Sequence, residues 1–446
     1  MKRISVYLSL VLMVVFSACN DQLELEPAQS ISENLALSTD ANVKAVLIGA
    51  YDEFGNGDVF GGNALRNAEL LGGNGEIQWV GTFNAPREIF NKSMIAANSD
   101  ASELWLEAYE AINIANNVLS ALEVVVDGDR DRVEGEALFL RATLYFELIR
   151  FYAKQYRIGG DNNIPGVPLV LTPTRGITEA NQVSRATVQA VYDQIIADLT
   201  AASSKLPETN GFFATSHAAS AMLARVYLQQ GDYSNALAAA DAVIQSGLFS
   251  LVPNYADAFN QGGNTVEDVF AVQVTSQDGV NNMNLFFSIP DFGGRDGDID
   301  VLDGHLSLYD STDARLSLFF DGNGGMRSGK WNNQFGNVNL IRVAEMHLVR
   351  AECNVRLGSS TGAPALDDYN AIRERAGLAA ATEVNLENIL FERRLELAHE
   401  GFRIHDQRRT QTDISSGIGW DADELIFPIP AREIEANPNL EQNAGY

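Results

Sequence analysis

The residue whose type and position most clearly imply chemistry is Cys19. It ends a short apolar run, Met1-Lys-Arg-Ile-Ser-Val-Tyr-Leu-Ser-Leu-Val-Leu-Met-Val-Val-Phe-Ser-Ala-Cys19, which opens on two basic residues, Lys2 and Arg3. The apolar stretch from Tyr7 to Phe16 is too short to span a bilayer, which takes ~20 residues. The small residues Ser17 and Ala18 precede the cysteine. Residues 1–18 therefore read as a secretory signal with a small-residue cleavage site. A cysteine at the first mature position resembles a lipobox, in which the thiol is lipidated before cleavage; Phe16 stands where leucine is usual. The expectation is lipidation at Cys19, with the mature chain held by acyl chains. The other cysteine, Cys353, lies in an apolar helical run and reads as a small buried residue. With one cysteine beyond Cys19, no intrachain disulfide framework is available.

Other candidate constellations lead away from catalysis and metals. Glu392, Glu396 and Glu400 recur every four residues, with Arg393, Arg394 and Arg403 beside them. Such a ladder on a helix face is a structural pattern. Asp296-Gly-Asp298-Ile-Asp300 opens like a calcium loop, but Val301 and Ser307 occupy the sixth and twelfth positions, where an EF-hand needs glycine and glutamate. A surface calcium site from these carboxylates remains the alternative. Histidines 217, 305, 347, 399 and 405 form no metal-binding spacing, and a zinc site is not expected; His347 reads as a packing residue. Gly72-Gly-Asn-Gly75 lacks the Lys-Ser/Thr of a phosphate loop. Among 59 acidic residues, no carboxylate pair is informative for glycoside hydrolysis. No catalytic residue, metal or cofactor is assigned, and the chain is expected not to be an enzyme.

The candidate binding residues lie in polar, aromatic-bearing segments. Trp79 sits in Gly72-Gly-Asn-Gly-Glu-Ile-Gln-Trp79-Val-Gly-Thr-Phe83. Sugar rings stack apolar C–H faces on aromatic rings, and their hydroxyls need partners such as Asn74, Glu76 and Gln78. Trp79 either makes that contact or anchors its loop to the scaffold. Phe83, Phe292, Arg295 and Trp331 are further ligand candidates on the same logic, with Trp331 open to a purely structural role.

Helices must position these residues. Ser38-Thr39-Asp40 caps a helix to about Phe54, and Asp100 with Glu103 opens one to about Val126. Arg130 to Lys154 is apolar on most faces and so buried among other helices. Ser184 caps a helix reaching about Leu206. Within residues 218–247, Ala224, Tyr227, Gly231, Tyr233, Ala236 and Ala240 take the spacing of a tetratricopeptide helix pair around a Gly231-Asp232 turn. A weaker pair runs from Leu340 to Ala376, and a last long helix from about Leu386 to Arg403. Between these lie Gly/Asn/Asp-rich stretches at 55–100, 156–183, 250–300 and 321–339. They carry Phe60, Trp79, Phe83, Phe90, Phe286, Phe287, Phe292 and Trp331. Disordered tracts are poor in aromatics, so the stretches read as ordered loops forming a binding surface. The net charge of −28 repels phosphate backbones and argues against nucleic-acid binding.

The chain resembles the SusD/RagB family of outer-membrane nutrient-binding lipoproteins over almost its whole mature length. The resemblance is carried, in family order, by Thr39-Asp40 through Tyr51, Gly135 to Arg150, Gly166-Val-Pro-Leu-Val-Leu-Thr172 and the 218–247 pair. It continues through Arg342-Val-Ala-Glu345, Ala371 to Leu378, Glu392 to Arg403, Asp406-Gln-Arg-Arg409, Phe427-Pro-Ile-Pro430 and Asn437 to Tyr446. Gln407 stands where the family often has leucine, and Ala444 where it often has proline. The resemblance implies a mainly α fold, with tetratricopeptide-like helix pairs forming a scaffold and long ordered loops carrying the ligand face. It implies a non-catalytic, surface-exposed lipoprotein of the cell outer membrane that binds oligosaccharide and delivers it to a SusC-like TonB-dependent transporter. The rival is a peptide-binding or protein-interaction scaffold at the same membrane. The expected organisation is a signal at 1–18, an acidic tether at 19–37, and a single SusD-like domain at 38–446, loop-rich at about 55–100 and 250–339. In Bacteroidetes-type lipoproteins an acidic stretch such as Asn20 to Glu26 resembles a surface-display signal; composition alone does not separate this from a solvated linker.

Overall fold

A computed structural model describes residues 33–176 and 178–446. The expected signal, Cys19 and most of the tether lie outside the described residues. At the end of the expected tether, Glu33–Ala36 form one helical turn.

The protein is mainly helical, and its long helices are α1 (Asp40–Phe54), α2 (Asn63–Gly72), α3 (Asn84–Asn91), α4 (Ser99–Ser120), α5 (Asp127–Tyr152), α6 (Val188–Lys205), α7 (Ser216–Gln230) and α8 (Tyr233–Gln245). They continue as α9 (Val343–Leu357), α10 (Ala365–Arg375), α11 (Leu386–Glu396) and α12 (Arg403–Arg409). From α4 to α10 each packs on its successor, and α1 covers α4. This stacking is the tetratricopeptide-like scaffold that the helix-pair spacing predicts. Three two-stranded antiparallel ribbons lie among the connections. They are β1 (Ile77–Trp79) with β3 (Ile299–Val301), β2 (Asp268–Val272) with β6 (Val338–Arg342), and β4 (Phe319–Gly322) with β5 (Gly325–Ser328).

Local chemistry accounts for most boundaries. Thr39 caps α1 as expected, accepting from the Asn42 N–H. Gly231 ends α7 at φ +73°, a left-handed C-cap that costs a glycine nothing sterically. Ala224, Ala236 and Ala240 are fully buried, so α7 and α8 approach closely. Arg225 on α7 clamps α9 through Glu345, with Nε–Oε1 3.0 Å and Nη2–Oε2 2.6 Å. Cys353 is buried on α9, and desolvation pushes its thiol up to about 12.

Several expected boundaries move. Asn98, not Asp100, caps α4, accepting from the Ala101 N–H at 3.1 Å; Asp100 is instead the ion partner of Arg66. That helix stops at Ser120, short of Val126. The predicted 130–154 helix runs three residues earlier and ends at Tyr152. Thr187 replaces Ser184 as the cap of α6, because residues 164–167 hydrogen-bond the backbone of Ala186 and the Val188 N–H, which holds the chain out of the helix up to Thr187. The expected 55–100 loop contains α2, β1 and α3. Every residue of α2 is buried, so the short helix shows no amphipathic period.

The predicted 386–403 helix breaks after Glu396. His399 and Gly401 take φ of +63° and +86°. The carbonyls that a continuing helix would use are taken elsewhere. Lys330 Nζ donates to the Glu396 and Ala398 carbonyls at 3.2 and 2.7 Å, and Trp331 Nε1 to that of His399 at 3.0 Å. The chain restarts as α12, whose first amides, with that of Gly401, donate to Glu69 Oε1. Glu400 thus leaves the helix face that it was expected to share with Glu392 and Glu396.

Substituting Ala236 with Phe tests the helix-pair register. Overpacking this contact should cost about 1–3 kcal/mol, read as a lower melting temperature. An unchanged melting curve would place Ala236 at the surface.

Candidate functional site

The 72–83 segment carries the short strand β1 at its centre rather than being a polar loop throughout. Ile77, Gln78 and Trp79 pair with Val301, Asp300 and Ile299. Side chains alternate across a strand, so Gln78 faces solvent while Ile77 and Trp79 face the core. Trp79 is 5 % exposed, packed 5.9 Å from Phe286. Of its two sequence readings, this geometry matches the anchoring one, and the indole presents no free face to a ligand.

Three more candidates are occupied internally. Glu76 is buried and binds His305 Nδ1 at 3.0 Å, Arg394 at 2.6 Å and Arg403 at 2.7 Å. Burial alone would push its carboxyl up. The His305 hydrogen bond and the two guanidiniums outweigh that and hold it well below the usual carboxylate range. Asn74 accepts from the buried Lys92 ammonium. Trp331, 3 % exposed, is the donor that fixes the break after α11.

The exposed candidates gather on a different footing. Phe83 follows β1, is 47 % exposed, and meets Phe286 edge-on at 6.1 Å. The Arg295 guanidinium lies 3.9 Å over its ring. Arg295 is itself held, pairing with buried Asp298 at 3.2 Å and donating to Thr82 Oγ1 at 3.2 Å. One face of the Phe83 ring is thus covered by a cation, and Phe286 packs against the ring at a steep angle. Exposed Gln78, Val80 and Thr82 lie on the same short segment. Phe292, exposed and edge-on to Phe320 at 5.6 Å, precedes Arg295 in a loop stitched to the Asn282–Phe287 helix. There the Arg295 N–H donates to the Leu285 carbonyl, and Asn284 to that of Phe292. The structure therefore brings Phe83 and Arg295 together, with Gln78 nearby in sequence and Phe292 on the Arg295 loop. Val80 and Thr82 were not among the expected residues; the Ile77-Gln78-Trp79-Val80 alternation was the signal for the strand's outward face.

Two of the three carboxylates of the apparent calcium loop are taken by guanidiniums: Asp298 by Arg295, and Asp300 by Arg327. Among the described residues no group of three or more His, Cys, Asp or Glu side chains could hold a metal ion. His347 pairs with Asp368 at 2.6 Å.

A family model described as starch-binding and associating with the outer membrane matches residues 21–228, and one described as the SusD family matches residues 317–422. Together they span more than two thirds of the chain. The chain belongs to the SusD/RagB family. It is 26 % identical to SusD-like protein P2 of Formosa agariphila, across 98 % of each chain. It is 25 % identical to a SusD-like protein of Bacteroides ovatus, across 87 % of this chain and 79 % of that one. A SusD superfamily structure from Bacteroides thetaiotaomicron superposes with a TM-score of 0.81 at 24 % identity, covering 91 % of this chain and 99 % of that one. A laminarin-binding SusD-like protein superposes with a TM-score of 0.77 at 24 % identity, covering 92 % and 100 %. SusD-like proteins form a family of carbohydrate-binding, non-catalytic proteins associated with the outer membrane. In this SusD-like chain the buried ion pairs around Glu76 and Glu396 are accordingly structural.

The two aromatics should separate cleanly in stability measurements. Trp79→Ala should lower stability by about 3–5 kcal/mol, as large buried aromatics do. Phe83→Ala should stay within about 0.5 kcal/mol, as surface substitutions do. Chemical denaturation of both variants measures this; equal losses would contradict the burial assigned to Trp79.

Proposed function

We propose that this SusD-like protein is a surface lipoprotein that stacks neutral oligosaccharide rings on the free face of Phe83 and passes them to a SusC-like TonB-dependent transporter. The observation that carries the reading is an exposed phenyl ring fixed by Arg295 and Phe286, with polar Gln78 and Thr82 on the same segment. A fixed ring loses little entropy on binding. Its uncovered face suits the C–H face of a pyranose, while the amide and hydroxyl groups suit ring hydroxyls. Phe292 extends the aromatic surface along the Arg295 loop. Kinship with a starch-binding family and the fold shared with a laminarin-binding protein support a glycan as the ligand class. The rival, peptide capture by the helix pairs, draws less support because the small residues of α7 and α8 are consumed in packing.

The test is calorimetric titration with neutral α- and β-linked gluco-oligosaccharides. Phe83→Ala should weaken binding by about 2 kcal/mol or more, as buried hot-spot residues do, which is roughly thirtyfold in Kd. Phe212→Ala removes a more exposed ring (60 %) outside the platform and should change nothing. Affinity should vary little with ionic strength, because the ligand is uncharged. Equal affinities for wild type and Phe83→Ala would remove the platform from the site.

Anchoring is tested separately. No described helix is long and apolar enough to cross a membrane, so attachment is assigned to Cys19. Cys19→Ala should abolish acylation and release the protein from carbonate-washed outer membranes; a variant that stays bound would overturn the lipoprotein assignment.

A further inference from the structure

Beside Glu76 the protein has a partly open pocket of about 110 Å³ between α2, β1 and the α11–α12 segment. A buried water needs ~10–15 Å³ of such volume, so the space suits a molecule of roughly seven heavy atoms and is too small for a hexose. Its lining mixes apolar Ile77, Leu390, Leu397, Ala398 and Phe402 with the guanidiniums of Arg393, Arg394 and Arg403, the carboxylates of Glu69, Glu76 and Asp406, and Gln407.

The guanidiniums carry a surplus of donors. Arg394 and Arg403 spend Nε and Nη2 on Glu76. Arg393 spends Nε on Asp406 and Nη2 on Glu345. Among the described residues the Nη1 group of none of the three has a protein hydrogen bond; that of Arg393 is fully buried. Gln407 is 3 % exposed; its Oε1, an acceptor, is buried without a partner, and its Nε2 donates to no group among the described residues. A buried polar group without a partner is costly.

We propose that this pocket binds a short-chain aliphatic monocarboxylate of two to four carbons, its carboxylate on the free guanidinium edges and Gln407, its alkyl tail against Leu390, Leu397 and Phe402. Donors without acceptors call for an acceptor-only group, and a carboxylate is one. The apolar residues exclude a fully hydrated inorganic anion.

Charge balance adds a pH dependence. The groups facing Glu69 are Glu76 on the β1 side, His305, His399 in the break, Arg393 and Arg394 on α11, and Arg403 and Asp406 on α12. Burial pushes the Glu69 carboxyl up to about 7 and keeps His305 and His399 neutral. Below that value Glu69 is protonated, and the lining carries three guanidiniums against the Glu76 and Asp406 carboxylates. Above it a third carboxylate cancels the attraction. Binding should therefore weaken as pH rises through about 7.

The experiment titrates the purified full chain with sodium butyrate, against sodium chloride at equal ionic strength, by calorimetry and thermal melting. Saturable binding at pH 6 is expected, weaker at pH 8 by tenfold or more. Gln407→Leu, whose folding the melting curve checks, should weaken it at least tenfold. Glu69→Gln should bind alike at pH 6 and pH 8. Phe83→Ala should bind butyrate as wild type does, which separates this site from the glycan platform. A chloride response equal to that of butyrate, no saturable butyrate signal, or wild-type affinity in Gln407→Leu would each overturn the proposal.

Discussion

Arg342 is the constraint on which the interior of this protein depends. It closes β6 with its side chain almost wholly buried, and a guanidinium in that position must be paired on every side. Glu400 receives Nε at 2.8 Å, Glu396 receives Nη1 at 3.0 Å, and Glu267, just before β2, completes the set. Arg375 on α10 shares Glu267 and Glu396, and Arg315 adds Glu392 and Asp313. Burial by itself would push the Glu396 carboxyl up, but the surrounding guanidiniums hold it at about 2. The network joins the β2–β6 ribbon, α10, α11 and the segment after the break. Removing one partner would leave another charge buried and unpaired, a loss of about 3–5 kcal/mol in comparable sites.

That arrangement dictates where the chain after α11 can go. Glu396 and Glu400 can both reach Arg342 while Lys330 takes the carbonyls between them, and this turns the chain toward Glu69. The break then presents Arg403 to Glu76, and Glu76 stands immediately before β1. The same logic of paired buried charge continues to the outer surface. Arg66 lies 4.2 Å over the Phe286 ring, which packs against both Trp79 and Phe83. Asp298 holds Arg295 over Phe83. The exposed ring therefore owes its position to an interior of guanidiniums, carboxylates and aromatics.

What could be read from the chain follows the range of the interactions involved. The 218–247 helix pair was legible because its signals are local: alanines at helical spacing and one glycine at a left-handed cap. Thr39 was legible for the same reason. Trp79 stayed between ligand contact and anchor because β1 is three residues long and its partner strand lies more than two hundred residues onward, so the alternation from Ile77 to Val80 was too short to decide. The break after α11 was missed because its causes, Lys330, Trp331 and Glu69, are remote in sequence; Gly401 was the single nearby sign. Phe83 and Arg295 could be named individually as aromatic and polar loop residues, but their stacking depends on β1 meeting β3.

The distribution of charge bears on what each surface can bind. Many of the basic side chains, among them Arg225, Arg315, Arg342, Arg393 and Arg409, are buried and paired. The exterior is therefore left with most of the excess that makes the chain −28. Such a surface repels anions at long range and is indifferent to neutral ligands. At the Phe83 platform Arg295 is already paired with Asp298 and Arg87 donates to the Gly81 carbonyl, so the contact offered there is a ring with a few polar groups. That combination favours uncharged pyranoses over acidic ones. In the pocket beside Glu76, the guanidiniums of Arg393, Arg394 and Arg403 keep edges that no carboxylate of the protein fills. A small anion would gain there what the outer surface denies it, provided that it can shed its water against the neighbouring leucines. On the two proposals the protein would separate its chemistries by burial, with neutral recognition outside and anion recognition within.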